Sequence, residues 1–273
     1  MKGNGCSTIV AAPIDSLWLA PPERLTMSGD VVHVWRARLD QSSPVIKHFE
    51  HTLPVDERLR ADRFYFRQDR DRFIAARGIL RTILGRYLDR APQALTFIYG
   101  AYGKPSLALE SDANPIRFNI SHSHGTALYA VTRGREIGVD LEYVRNGLAI
   151  EEIVTSFFSR TEISALCSLS AELRRRAFFA CWTRKEAYIK AMGEGLSLSL
   201  AQFDVSLIPG EPAVLLATRP DSKEALRWSL HELALGPDYV AAFVVEGRDC
   251  SLSCWQWPQL PLTGSFSVFG FAS

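Results

Sequence analysis

The chain has 273 residues, 47% of them hydrophobic and 22% charged, the make-up of a globular protein with a sizeable core. Its 31 Lys and Arg nearly cancel 30 Asp and Glu, leaving a formal charge of +1, so neither nucleic acid nor an anionic membrane is an expected partner. No stretch approaches the roughly 20 apolar residues of a membrane span. The five unevenly spaced cysteines suggest no disulfide framework, and Cys250 and Cys254 lack the second Cys/His pair of a zinc site; a cytoplasmic protein is expected.

Residues 1–30 read as an irregular lead-in, interrupted by Pro13 and Asp15 before a signal-peptide core can form. Val31–Leu39 reads as a strand. Asp56–Leu88 reads as helical, in two helices meeting near Arg67–Asp69, with Phe73, Leu80, Leu84 and Leu88 at helical spacing. Short strands follow at Leu95–Tyr99, Ser106–Leu109, Ile116–Ile120, Ala127–Thr132 and Glu136–Val144, parted by turn-forming residues. A second helical stretch covers Ala149–Met192. Further strands are predicted at Phe203–Ile208, Ala213–Ala217, Arg227–Leu235, Tyr239–Glu246 and Ser251–Trp257. The order predicts an α+β fold in two similar halves. RFIAARGIL (72–80) and AFFACWTRK (177–185) form a faint repeat, each after an aromatic cluster. The expected organisation is a lead-in (1–30), an N-terminal lobe (31–134), a C-terminal lobe (135–257) and a Phe-containing tail (258–273).

Asp140 and Glu142 stand two apart on a predicted strand, so both project from one face. At about 6–7 Å two carboxylates repel by roughly 2–3 kcal/mol at an effective dielectric of 20. Either solvent screens them at a strand end, or a divalent cation with oxygen ligands joins them. In WTRKEAYIKAMGEGL, Lys185 falls inside the apolar stripe of Phe178, Trp182 and Ile189, where a lysine must snorkel out or meet an anion. Glu186 and Lys190 fit a surface i,i+4 ion pair or a charged site. Arg77 lies on the stripe of Phe73, Leu80 and Leu84, either at a helix margin or reaching a phosphate. FNISHSHG sets Asn119, Ser121, His122, Ser123 and His124 at a strand end rich in hydrogen-bond donors that could hold a phosphate, without the G-x-S-x-G elbow of a serine hydrolase.

Taken in order, GKP (103–105), FNISHSHG, GVDLE, FFSRTE and WTRKEAYIKAMGEGL resemble the Sfp-type, long single-chain 4'-phosphopantetheinyl transferases from about Asp56 to Phe203. The resemblance implies two pseudo-symmetric α/β lobes with coenzyme A, the co-substrate, in the cleft between them. It implies transfer of phosphopantetheine to a serine of an apo acyl or peptidyl carrier protein, with release of 3',5'-ADP. Asp140, Glu142 and Glu186 would hold Mg²⁺, with Mn²⁺ as an alternative. Lys190, helped by Lys185, would neutralise phosphates, and His122 with Ser121 would meet the 3'-phosphate end, with Arg77 and Arg60 as helpers. Gly103, Lys104 and Pro105 would lie along the adenine. Glu186 is the first expectation for the base that takes the serine proton and Glu162 the second. Carrier docking is expected near Phe157–Leu166, and a monomer is expected from the size and the duplicated halves. A metal-dependent hydrolase of coenzyme A and an inactive binding module are the competing readings.

Overall fold

Apolar residues at helical spacing build one long helix in each half of the chain. The structure, a computed structural model, describes residues 18–108, 113–219 and 221–259. The start of the lead-in and nearly all of the tail therefore lie outside the described residues. The first half runs β1 (Val31–Arg38), α1 (Ser43–Thr52), α2 (Val55–Ala61), α3 (Arg67–Leu88), β2 (Phe97–Tyr99), β3 (Pro105–Leu107), β4 (Ile116–Ser123) and β5 (Thr126–Arg133). The second runs β6 (Ile137–Tyr143), α4 (Ile150–Phe157), α5 (Arg160–Ser168), α6 (Ala171–Met192), β7 (Phe203–Val205), β8 (Leu215–Thr218), β9 (Trp228–Leu233), β10 (Tyr239–Glu246) and β11 (Ser251–Gln256).

The α+β class holds. α3 and α6 are each 22 residues long and each ends in a left-handed residue, Asp89 (φ 50°) and Gly193 (φ 74°), which turns the chain off the helix. The faint repeat falls in the middle of these two helices. α3 buries Ile74, Ile79, Leu80, Ile83 and Leu84, and α6 buries Phe178, Phe179, Tyr188 and Ile189, each in its own hydrophobic core. Helix α1 was not foreseen. Pro44 fits its first turn, where a missing N–H costs nothing, and Val45, Ile46 and Phe49 are buried along one side. Phe49 sits so close to Gly78 of α3 that a Cβ there would lie 2.4 Å from its ring. The single helical stretch expected over 149–192 is three helices. Ser159 restarts the chain with a capping box, its Oγ accepting from the Glu162 N–H while the Glu162 carboxylate accepts from the Ser159 N–H.

Two sheets carry the architecture, ordered β11-β1-β5-β4 and β6-β10-β9. Ser251–Gln256, which the sequence groups with the second half, pairs in parallel with β1, Val31 opposite Ser251 through Arg36 opposite Gln256. The two sheets meet at β4 and β6, which belong to separate ladders and are joined by side chains. Alternate residues of a strand share a face, and four of them on β4 reach across. Arg117 Nε lies 3.3 Å from Glu136, Asn119 Oδ1 accepts from the Val139 N–H (2.9 Å), Ser121 Oγ donates to Asp140 (2.8 Å), and Ser123 Oγ accepts from the Tyr143 N–H (3.1 Å). This side-chain seam is where the functional groups gather.

Candidate active site at the seam

Gly138 on β6 lets α6 approach almost to contact; a Cβ there would lie 2.1 Å from the Ala187 carbonyl oxygen and 2.3 Å from the Ala191 nitrogen. That approach carries Glu186 and Lys190, one turn apart on the less buried side of α6, to the end of β6 where Asp140 and Glu142 stand. Lys190 Nζ lies 2.6 Å from Asp140 Oδ1 and 3.1 Å from Ser121 Oγ, so helix, second sheet and first sheet converge on one ammonium. Asp140 is 4% exposed, and its Oδ2 is buried without a hydrogen-bond partner. A buried carboxylate oxygen left unpaired costs about 1–3 kcal/mol or more.

The charges around Asp140 are unbalanced. Burial, then the Asp140 charge, raises the Glu142 carboxyl above the ordinary range, partly offset by the Ser123 hydroxyl donating to its Oε2 at 3.0 Å. Burial, then Asp140, raises Glu186, and the Glu142 charge adds to the rise while Lys190 opposes it. Desolvation and then Lys190 hold the His122 imidazole below its usual value. Asp140, Glu142, Glu186, Lys190, Ser121 and His122 thus form one interacting group. Among the described residues no three Asp, Glu, His or Cys side chains stand close enough together to hold a metal ion; Lys190 holds Asp140 Oδ1.

The GKP turn sits against the C-terminal end of α6, just beyond Lys190. Gly103 (φ 81°) makes the tight turn, and Lys104 Nζ donates to Glu136 Oε2 (2.8 Å) and to the Ala191 carbonyl (2.9 Å). A cation on the last carbonyls of a helix satisfies them and complements its dipole. Lys104, Pro105, Gly193, Arg117 and Glu136 wall a cavity of about 200 Å³.

Four expected site residues, Lys185, Glu162, Arg77 and Arg60, lie apart from this group. Lys185 is fully buried: Nζ meets Glu162 Oε1 (2.8 Å) and donates to the Leu200 and Phe203 carbonyls (2.7 Å each). Glu162, 2% exposed, also accepts from the Val205 N–H and caps α5, so both carboxylate oxygens are engaged. Arg77 is buried against Glu57, with Tyr99 as a further acceptor. Arg81 takes the other Glu57 oxygen at 2.8 Å, and both guanidinium groups lie 4.8 Å from the Phe97 ring. These two arginines anchor the β2–β3 hairpin that bears the GKP turn. In each case the lysine or arginine on an apolar stripe has met an internal carboxylate rather than a phosphate. Arg60 is exposed, its guanidinium 5.5 Å from the Phe73 ring, beside Arg63 and Phe64. Glu136, which the sequence reading missed, carries only the signal of an acidic residue just before β6.

A carboxylate and lysine centre thus lies where the two sheets of this α+β chain meet. A family model described as 4'-phosphopantetheinyl transferase superfamily matches residues 136–244, and one described as 4'-phosphopantetheinyl transferase, N-terminal, matches residues 35–133. The 4'-phosphopantetheinyl transferase HetI of Nostoc sp. is 42% identical over 240 residues, 88% of this chain and 98% of that protein. The 4'-phosphopantetheinyl transferase Sfp of Bacillus subtilis is 32% identical over 161 residues, 59% of this chain and 69% of that one. The Bacillus pumilus 4'-phosphopantetheinyl transferase psf-1 is 30% identical over 181 residues, 66% of this chain and 72% of that one. The chain belongs to the 4'-phosphopantetheinyl transferase family. Among the described residues no helix is long and apolar enough to cross a membrane.

Proposed function

We propose that this chain moves 4'-phosphopantetheine from coenzyme A to a serine hydroxyl of an apo acyl or peptidyl carrier protein and releases 3',5'-ADP. The observation that carries the reading is the seam itself, where Lys190 meets Asp140, the charges of Glu142 and Glu186 act on the same centre, and one buried oxygen, Asp140 Oδ2, has no partner.

Those residues fit a hard divalent cation. Asp140, Glu142 and Glu186 offer oxygen donors, the raised Glu142 and Glu186 carboxyls lack positive charge, and the orphaned oxygen lacks a ligand. They would hold Mg²⁺ or Mn²⁺, which supplies neutralisation of the pyrophosphate and of the carboxylate repulsion. Lys190, on the same face of α6 as Glu186, neutralises charge growing on the phosphoryl oxygens. Glu186 accepts the serine proton, directly or through a water, while the serine oxygen bonds to the β-phosphorus and the bond to the 3',5'-ADP oxygen breaks. Ser121 and His122 at the end of β4 meet the 3'-phosphate end of coenzyme A. The 200 Å³ hollow beside Lys104 and Pro105 receives the adenine. Lys104 contributes by tying that hollow to α6 rather than by meeting phosphate. Lys185, Glu162 and Arg77 have no direct part, being saturated in the interior.

Phe157, partly exposed and 5.9 Å from Trp182 one turn before Glu186, supports docking of the carrier near 157–166. The four described cysteines are free thiols, in keeping with a reducing cytoplasm, and a monomer completes the reading. The test is the intact mass of an acyl and a peptidyl carrier protein after incubation with the chain, coenzyme A and Mg²⁺. A gain of one phosphopantetheine, lost with EDTA and with Glu186→Gln, is expected. Cleavage of coenzyme A in solution with no gain on either carrier would replace the transferase by a hydrolase.

A further inference from the structure

Beside the last turns of α6 lies a hollow of about 150 Å³ that shares no wall with the seam. Its wall on α6 is Tyr188 and Met192, each two residues from Lys190, and positions two apart on a helix do not face the same way. Leu198 and Phe203 complete an apolar floor, and Glu194, Asp221 and Glu224 stand around it. A cavity of about this size takes one benzene-sized molecule, so the volume calls for a small ligand with an apolar body.

Two features call for a positive end on that ligand. The first is an unused phenol. Tyr188 is 1% exposed, and its ring is held edge-on by Phe203 at 4.7 Å and Trp228 at 5.8 Å. Among the described residues its hydroxyl has no hydrogen-bond partner, whereas a buried tyrosine usually finds one. Burial, then the Glu224 and Glu194 charges, push this phenol up to about 12, with Arg227 opposing, so it stays neutral and lies in the field of two carboxylates of the rim. The second feature is an excess of negative charge. Arg227 meets Glu224 at 3.2 Å but is shared with Glu246 at 2.9 Å. Among the described residues Glu194 and Asp221 have no cation at ion-pair distance; Lys223, close by in the chain, is exposed and makes no ion pair. The segment that bears Asp221 is nonetheless fixed, its carbonyl accepting from the Thr218 hydroxyl at 2.5 Å and its Oδ1 from the Lys223 N–H at 2.9 Å.

We propose that this hollow binds a small organic ammonium ion, its apolar body among Met192, Leu198 and Phe203 and its charged end among the Tyr188 hydroxyl and the carboxylates of Glu194 and Asp221. An ammonium has only donors to give, and the phenol oxygen and the carboxylates are acceptors in need of one. Hydrogen bonds from an ionised donor are roughly twice as strong as neutral ones. The site stands independently of the transferase reading, since it uses none of the seam residues.

The experiment titrates the full chain, isotope-labelled at its methionine methyls, with n-butylammonium and phenethylammonium chlorides, and with n-butanol and phenethyl alcohol as their uncharged counterparts. The Met192 methyl signal, identified by its loss in Met192→Leu, moves with the ammonium ions while that of Met27 stays. Each ammonium binds about tenfold more tightly than its alcohol. Glu194→Gln combined with Asp221→Asn, both at exposed positions, brings ammonium and alcohol to equal affinity. Tyr188→Phe, which keeps the ring, weakens the ammonium by about threefold or more. Added salt weakens the ammonium and leaves the alcohol unchanged, since screening acts on the charged partner alone. Saturating coenzyme A leaves the ammonium affinity within about twofold. Alcohols that bind as tightly as the ammonium ions, a Met192 signal that does not move, or displacement of the ammonium by coenzyme A overturns the site.

Discussion

Lys185 and Lys190 stand five residues apart on α6, and each meets a carboxylate at ion-pair distance, Glu162 at 2.8 Å and Asp140 at 2.6 Å. Around Lys185 every requirement is met: two backbone carbonyls accept its remaining protons, and Glu162 spends both oxygens on Lys185, Val205 and the cap of α5. Around Lys190 the requirements are left open. Asp140 keeps an oxygen without a partner, and Glu142 and Glu186 are pushed toward the protonated form by burial and by Asp140. A satisfied buried pair fixes a fold; an unsatisfied one at a seam stores a demand that a ligand can meet. The same helix supplies both, because its inner face is closed by the core while its outer face opens on the joint of the two halves.

The contrast breaks most sharply at Lys185. Lys185→Met leaves Glu162 as an unpaired buried charge and should cost about 3–5 kcal/mol, read as a lower denaturation midpoint with unchanged m value. Lys185→Met combined with Glu162→Leu should cost less than the sum of the two single changes. Glu186→Gln should do the reverse, reducing carrier modification by about 10²–10³-fold, the range seen when one preorganised electrostatic group is lost, with stability held or improved. Equal losses of stability at both positions would erase the distinction between the two pairs. Lys104→Met should raise KM for coenzyme A and lower kcat together, by about tenfold, because it frees both the α6 end and the hollow; Lys104→Arg should restore part of each. A loss of stability alone would make Lys104 a simple helix cap.

The smallest effect tests the charge imbalance. A glutamate whose folded value is raised contributes stability fully below its unfolded value, and that contribution is lost as pH rises through the raised folded value. Without divalent ion, Glu142→Gln should therefore melt about 2–4 °C higher than the unaltered chain near pH 7, and the gap should close in acid. Mg²⁺ should raise the melting temperature of the unaltered chain and do less for the variant; the opposite order would remove Glu142 from the cation site.

Much of this arrangement was legible from residue order. The alternation that put Asp140 and Glu142 on one face, and the i,i+4 step from Glu186 to Lys190, are local regularities, and both survive in the fold. The oddity of Lys185 and Arg77 on apolar stripes pointed outward, to solvent or an anion for the one and to a helix margin or a phosphate for the other; in the fold each meets an internal carboxylate. The identity of those anions was out of reach: Glu57 and Glu162 lie 20 and 23 positions before their partners, and nothing in a helical wheel says which carboxylate will cross to it. Helix α1 was readable from Pro44 and the spacing of Val45, Ile46 and Phe49. The pairing of β11 with β1 was not, since a parallel contact between distant strands leaves no mark on either sequence.

That last pairing bears on the order of synthesis. β1 is among the first strands to leave the ribosome, yet its outer partner does not exist until Ser251–Gln256 has been made. Until then one side of β1 presents unpaired amides and carbonyls, the kind of edge that recruits a wrong strand, and contact between such distant segments is slow to close. A nascent chain halted before Ser251 would already carry every side chain of the seam and still lack the strand that closes its first sheet. The first sheet is thus closed only by β11, and a chain cut short of that strand is marked by the bare flank of β1.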